Sequence, residues 1–293
     1  MCARAIRVAA TAVVVAVSVS ACGGQGSSEV SEDCVPEHEF ETIDDGVLTV
    51  STYPLPPFSN VEDRGEAVDG TAFTIGGTLV GVDGDILNEF AARECLEIEV
   101  HSTAAGAVLS AVQSGGADVG AGNWYRTTER AEILDLTDPI YLDRLAIIAP
   151  DGVSDFADLQ DRRVGTVVGY QYVEDLRDYF AGDLVLYNSP LLMFRALEDG
   201  DIDAAVDTVG VGNEFTREND LNVEEAEPLE DISASLEPGQ SAFLVEQGHD
   251  DLLEALNATI ESLREEGRLA EIMEENGFDE SSAEPGEPRF IDG

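Results

Sequence analysis

Lysine is absent from this chain of 293 residues: all 15 basic residues are arginines, against 61 acidic ones, and the formal net charge is −46. A surface that negative excludes nucleic acid and anionic lipid as partners held by electrostatic attraction. Histidine is scarce, and His38, His101 and His249 are too widely spaced to form a metal-ligand motif, so neither a metal nor another cofactor is expected. The G-x-S-x-G elbow and the glycine-rich phosphate loop are both missing. What is present is apolar: 43% of the residues are hydrophobic, enough for one large or two medium cores. Periodic apolar segments fill most of the chain, so the charge marks a solvated acidic surface and not disorder. Self-repulsion of that size is tolerable where salt screens it, the Debye length being about 3 Å at 1 M. A salt-loving source is expected, with a melting temperature that rises from low to molar salt.

The first residues belong to no fold. Arg4 and Arg7 precede the apolar run VAATAVVVAV, which is too short to span a membrane comfortably. Val19–Cys22, VSAC, resembles the bacterial lipobox. Residues 1–21 thus read as a lipoprotein signal peptide, and 22–44 as a lipidated Cys22 with a flexible Gly/Ser/acidic tether. The alternative is an ordinary secretory peptide cut near Ala21. Two or more acyl chains on one residue suffice for stable anchoring. With Cys22 lipidated, Cys34 and Cys95 remain in an exported chain and are expected to form a disulfide, two separate thiols being the alternative.

From Gly46 the patterning alternates between strand and helix periods. GVLTVSTY reads as a strand and PLPPFSN as a rigid loop at its end. Residues 60–80 form an excursion with a turn at Asp69-Gly70, read as a hairpin. ILNEFAAREC is a helix with Asp83 or Asp85 as its cap, followed by strand LEIEVHS, helix AVLSAVQSGG and strand ADVGAGNWY. After the strand LDRLAIIAP the alternation restarts as a second unit of similar size. SAFLVEQ returns from it, and DDLLEALNATIESLREEG places Leu252, Leu256, Ile260 and Leu263 on one helical stripe. This order predicts an α/β chain of two lobes joined by two extended crossings. Residues 279–293 read as an acidic, disordered tail. A cleft between such lobes, beyond the strand ends, is the expected ligand site.

Seven segments occur in one order: GVLTVSTYPLPPF, GVDGDILNEFA, LSAVQSGGADVGAG, TTERAEILDLTDPIY, DLQDRRVGTVVGYQ, ALEDGDIDAAVD and LLEALNATIESLREEGRL. In that order they resemble family 3 of the bacterial extracellular solute-binding proteins, the polar amino-acid receptors of ATP-binding-cassette importers. The resemblance implies a two-lobed, type II periplasmic-binding-protein-like fold, with lobe 1 at 45–144 and 243–278 returning to it, and lobe 2 at 145–242. It places a carboxylate-gripping arginine on Arg130 of a T-x-x-R pattern, with Thr127 opening its helix. A planar guanidinium takes a carboxylate through two charge-assisted hydrogen bonds; the plain alternative is a surface arginine paired with Glu129 or Glu132, worth about 0–1 kcal/mol. The same resemblance puts Gly122 and Asn123 against the ligand, with Tyr125 where a Ser or Thr is usual. Gly169 aligns with a glycine that opens a helix N-terminus in the second lobe, followed by Tyr170 and Gln171. Asp207, or Thr208 in a gap-free alignment, takes the place of an acid that pairs with the ligand's ammonium. Thr52, Pro54 and Phe58 belong to the loop over the ligand.

These residues predict an extracytoplasmic, lipid-anchored, monomeric receptor, not an enzyme, that closes around a small carboxylate-bearing solute, an amino acid. It then delivers the solute to permease and ATPase subunits. The alternatives are a dehydratase-type enzyme on the same fold, which needs a general acid in the cleft, and a ligand-sensing lipoprotein.

Overall fold

The computed structural model describes residues 33–63, 66, 67, 73–217 and 219–291. The signal segment, Cys22 and most of the tether lie outside them, as does the Asp69-Gly70 turn. On either side of that turn Glu66–Ala67 and Thr74–Ile75 pair antiparallel, and Thr74–Ile75 joins the edge of the first sheet. Ahead of the first strand, Cys34 is joined to Cys95, with Cα atoms 5.8 Å apart. The bond ties the incoming segment to the end of the first helix.

The first sheet is built around β1 (Val47–Thr52), whose side chains are buried on both faces, as a central strand of a parallel sheet requires. It pairs in parallel with β2 (Glu97–Ser102) on one side and β3 (Val119–Tyr125) on the other. Helix α1 (Val82–Arg93) leads into β2, and α2 (Ala105–Gln113) leads into β3. Helix α1 starts earlier than its apolar spacing predicts. Gly81, at φ +89°, opens it, and a Cβ there would meet the Pro57 carbonyl oxygen at 2.5 Å. Asp83 is therefore not its cap; it sits in the first turn, buried, with its carboxylate committed elsewhere. A short helix, α3 (Thr128–Ala131), follows β3.

The chain leaves this sheet through Leu142–Asp143 and enters the second as β4 (Leu145–Ala149). The five strands there lie in the order β6 (Leu184–Tyr187), β5 (Val164–Val167), β7 (Ala204–Thr208), β4, β8 (Asn222–Glu225). β5 is parallel to β6 and β7, and β4 runs antiparallel to both of its neighbours. Helices α4 (Val173–Phe180), α5 (Pro190–Glu198) and α6 (Val209–Thr216) cover it. The return strand β9 (Gly239–Val245) enters the first sheet ahead of the expected boundary at 243. It pairs antiparallel with Leu142–Asp143 and then with β3, so the two crossings are hydrogen-bonded to each other.

Helix α7 (Asp250–Glu265) buries Leu252, Leu256, Ile260 and Leu263 against the first lobe, the stripe its spacing predicts. Each such side chain contributes about 1.5–3 kcal/mol. Helix α8 (Arg268–Glu275) follows, and Phe278 packs on Phe58, their ring centroids 5.2 Å apart. The tail departs from the disordered segment expected of its composition. Ser282 and Ala283 are buried. The Gln240 side chain donates to the carbonyls of Pro285 and Glu287 at 2.8 and 2.9 Å and accepts from the Arg289 amide. Ile291 exchanges backbone hydrogen bonds with Arg126 and Thr128, and the Arg126 guanidinium lies over the Phe290 ring. An acidic composition did not prevent order because β9 supplies a buried amide, Gln240, and the end of β3 leads to an arginine, Arg126, that hold the tail.

Candidate functional site

Between the two sheets lies a cavity of about 420 Å³, lined by both lobes. Lobe 1 contributes the loop after β1, the end of β3 and Arg130. Lobe 2 contributes the loop after β5, the start of α5 and the end of β7. Asp143, on the first crossing, forms part of the floor.

Strand β3 delivers its end to this cavity through an irregularity. Against β9 its register shifts, so that one residue of β9 faces Ala121, Gly122 and Asn123. Gly122 (φ +131°) and Asn123 (φ +54°) both take left-handed backbone. Only glycine fits at 122, where a Cβ would lie 2.5 Å from the Tyr53 ring. Bulges of this kind re-aim side chains beside binding sites. This one is held by Asp83: its Oδ2 accepts from the Gly122 and Asn123 amides at 2.7 and 3.0 Å, and its Oδ1 from the Tyr141 hydroxyl at 2.9 Å. Burial pushes the Asp83 carboxyl up to about 6, and the three donors hold it from rising further.

Arg130 stands directly after this strand. The Thr127 hydroxyl caps α3 by accepting from the Arg130 amide at 3.2 Å, so Thr127 positions the arginine and does not line the cavity. The Arg130 guanidinium donates to the Tyr125 carbonyl at 2.6 Å and lies 5.1 Å from the centroid of the Trp124 ring. Among the described residues no carboxylate lies within ion-pair distance of it; neither Glu129 nor Glu132 has taken it to the surface. Desolvation lowers its pKa, a guanidinium half out of water on a cavity wall.

Two buried acids line the same cavity. Asp143 Oδ2 accepts from the Asn123 amide group at 2.7 Å and from the Tyr125 hydroxyl at 2.5 Å, while its Oδ1 has no partner. Burial pushes this carboxyl up to about 6, against those two donors and the nearby Thr208 hydroxyl. Asp207 is fully buried at the end of β7; its Oδ1 accepts from the Thr208 amide and its Oδ2 has no partner. Its pKa is raised well above the ordinary carboxylate range, first by burial, with Asp143 adding to it. A second cavity, about 280 Å³, lies behind Tyr125 and Asp143 and is walled by Phe290 and Ile291 of the tail.

Of the residues singled out in the sequence, Arg130, Asn123, Tyr125, Gly169, Tyr170, Gln171, Asp207, Thr208 and Phe58 line the main cavity. Asp207 and Thr208 both do. Gly122, Thr127 and Thr52 do not. Gly122 is consumed by the bulge, Thr127 by the helix cap, and Thr52 by a 2.6 Å hydrogen bond to Ser59. Gly169 opens no helix: α4 begins at Val173, and Gly169 sits in the preceding turn at φ +88°. Missed were Asp143, Tyr53, Ala105 and the Asn188–Ser189–Pro190 start of α5. For Asp143 the available signal was an acid inside the apolar crossing segment; for Asn188 it was its place ahead of a Ser-Pro helix start.

Two α/β lobes, doubly crossed, around one ligand-sized cleft define the type II periplasmic-binding-protein architecture. The sequence model of the bacterial extracellular solute-binding proteins, family 3, matches residues 49–278, and the chain belongs to that family. A probable histidine-binding protein of Neisseria gonorrhoeae is 22% identical over 271 residues, covering 90% of this chain and 92% of that one. An amino acid ABC transporter substrate-binding protein of Streptococcus pneumoniae, solved bound to L-arginine, is 25% identical with a TM-score of 0.61; the match covers 79% of this chain and 94% of that one. An ancestral cationic amino acid solute-binding protein is 20% identical with a TM-score of 0.65, covering 78% and 95%. The family is extracellular, and among the described residues no helix is long and apolar enough to cross a membrane.

Proposed function

We propose that this chain is the lipid-anchored receptor of an ATP-binding-cassette importer, binding an amino acid between its lobes. The observation that carries the reading is Arg130: a desolvated guanidinium on the cleft wall, oriented by the Tyr125 carbonyl and the Trp124 ring, with no carboxylate of the chain within ion-pair distance among the described residues. The solute's carboxylate completes it. Asp207, across the cleft on lobe 2, takes the α-ammonium. The ligand thus touches both lobes only when they are closed, and that difference in contact is what drives closure. The names of the relatives, given for amino acids, support the solute class. The lipobox at Val19–Cys22 supports the anchor, and the importer's permease and ATPase are the partners this role requires. The buried acids serve recognition, so no dehydratase turnover is expected.

A thermal-shift screen of the twenty amino acids, followed by calorimetry on the Arg130→Ala variant, tests the reading. A ligand at 100 times its Kd raises stability by about 2.7 kcal/mol. Loss of Arg130 is expected to weaken binding by about two to three decades, from a pair energy of about 2–5 kcal/mol. Unchanged affinity in Arg130→Ala would remove the carboxylate grip and the reading with it.

A further inference from the structure

Three charged side chains line the cleft among the described residues: Arg130, Asp143 and Asp207. A zwitterionic solute brings one carboxylate and one ammonium. It answers Arg130 and one acid, and leaves the other acid buried without a cation. Asp143 is 3% exposed and Asp207 fully buried, and each keeps one carboxylate oxygen without a donor, Oδ1 and Oδ2 respectively. Asn123 Oδ1, beside them, is a third acceptor in the same condition. An ionised carboxylate taken from water is costly unless a cation and hydrogen bonds replace what it lost.

A structural role accounts for only half of Asp143. Its Oδ2 props the left-handed Asn123 and the Tyr125 hydroxyl, but that duty needs one oxygen. The other is buried near the Thr208 hydroxyl, and among the described residues no cation of the chain pairs with it. The walls around the floor are aromatic, Tyr53, Trp124, Tyr170 and Tyr172, surfaces that accept an alkyl stem or a flat cation.

We propose that the solute is a dibasic amino acid, with its carboxylate on Arg130, its α-ammonium on Asp207 and its side-chain cation on Asp143. Asp143 is then the residue that selects for the second positive charge. This rests on the receptor reading above and goes further by naming the charge of the ligand.

Calorimetry of the dialysed protein with L-arginine and L-citrulline tests it, because the two share a shape and differ in side-chain charge. Arginine is expected to bind more tightly, on the order of a hundredfold, as for a desolvated charge pair. Asp143→Asn keeps an oxygen and a similar volume. It is expected to weaken arginine far more than citrulline, closing the gap between them, and its melting curve checks that it folds. Equal affinities in the wild type, or equal losses for both ligands in Asp143→Asn, overturn the proposal and leave Asp143 as a prop for Tyr125. Binding of L-glutamine or L-glutamate in preference to arginine, still dependent on Arg130, overturns it while the receptor reading survives. If no amino acid binds at all, the receptor reading itself has failed.

Discussion

Asp83 does not line the cleft, yet the geometry of the cleft depends on it. Its carboxylate satisfies two amides in the left-handed stretch at Gly122 and Asn123 and a buried tyrosine hydroxyl. Asp83→Ala leaves those three donors stranded, with an expected loss of roughly 3 kcal/mol or more. Asp83→Asn keeps an oxygen for the amides, and the Tyr141 hydroxyl can turn to accept from the new amide group, so a smaller loss is expected. The pH dependence separates charge from hydrogen bonding. Burial raises the folded-state carboxyl from 3.8 to about 6. The folded protein thus holds this proton more tightly than the unfolded chain, and the resulting stability is complete below 3.8 and lost as pH rises through 6. Denaturant unfolding between pH 4 and 6.5 should show the wild type losing this share of stability as pH rises, while Asp83→Asn lacks it. Equal pH slopes in the two proteins would contradict the assignment. None of this was legible in the sequence, where Asp83 looked like a helix cap. A cap is a local device, and what moved Asp83 inside the helix was the long-range demand of the bulge.

The tail shows the same limit for a whole segment. The family match ends at residue 278, and composition alone made the acidic remainder look disordered. Instead it runs behind the two crossings and pairs with the residues just ahead of Arg130. The long amphipathic helix α7, by contrast, was legible to the residue, because its stripe is written in consecutive turns. So was the order of the α/β units, since each strand and helix carries its own period. The cleft was legible only as far as the family pattern reached: Arg130 came with the pattern, Asp143 did not. A chain ending at Glu284 keeps the turn of Glu280–Ala283 and removes the partners of Gln240 and Arg126. Stability is expected to fall by about 2–3 kcal/mol, a drop in Tm of roughly 5–10 °C for a protein of this size. Because Phe290 and Ile291 wall the cavity behind Tyr125 and Asp143, solute affinity should fall as well, but by less than in Arg130→Ala. A truncated protein with unchanged melting and unchanged affinity would show the tail to be a passenger.

Charge sets the conditions under which all of this holds. Two effects of salt oppose each other. Screening weakens the ion pairs of the arginines, such as Arg163 with Asp203 and Arg177 with Glu174, but these are exposed and contribute little. Screening also relaxes the mutual repulsion of the acids, and the 61 acids outnumber the 15 arginines so far that the net charge stays at −46 after every possible pair is made. Repulsion therefore dominates, and added salt should stabilise the fold. The dose dependence identifies the cause. Screening acts mainly below about 1 M, where the Debye length has already shrunk to about 3 Å, and then saturates. Preferential exclusion of strongly hydrated salts continues to raise stability with concentration for any protein. Melting in sodium chloride should accordingly rise steeply up to about 1 M and flatten beyond it, whereas sodium sulfate should keep raising it. A flat curve below 1 M would mean that the acidic surface is not under strain from its own charge, and that the missing lysines reflect something other than life in salt.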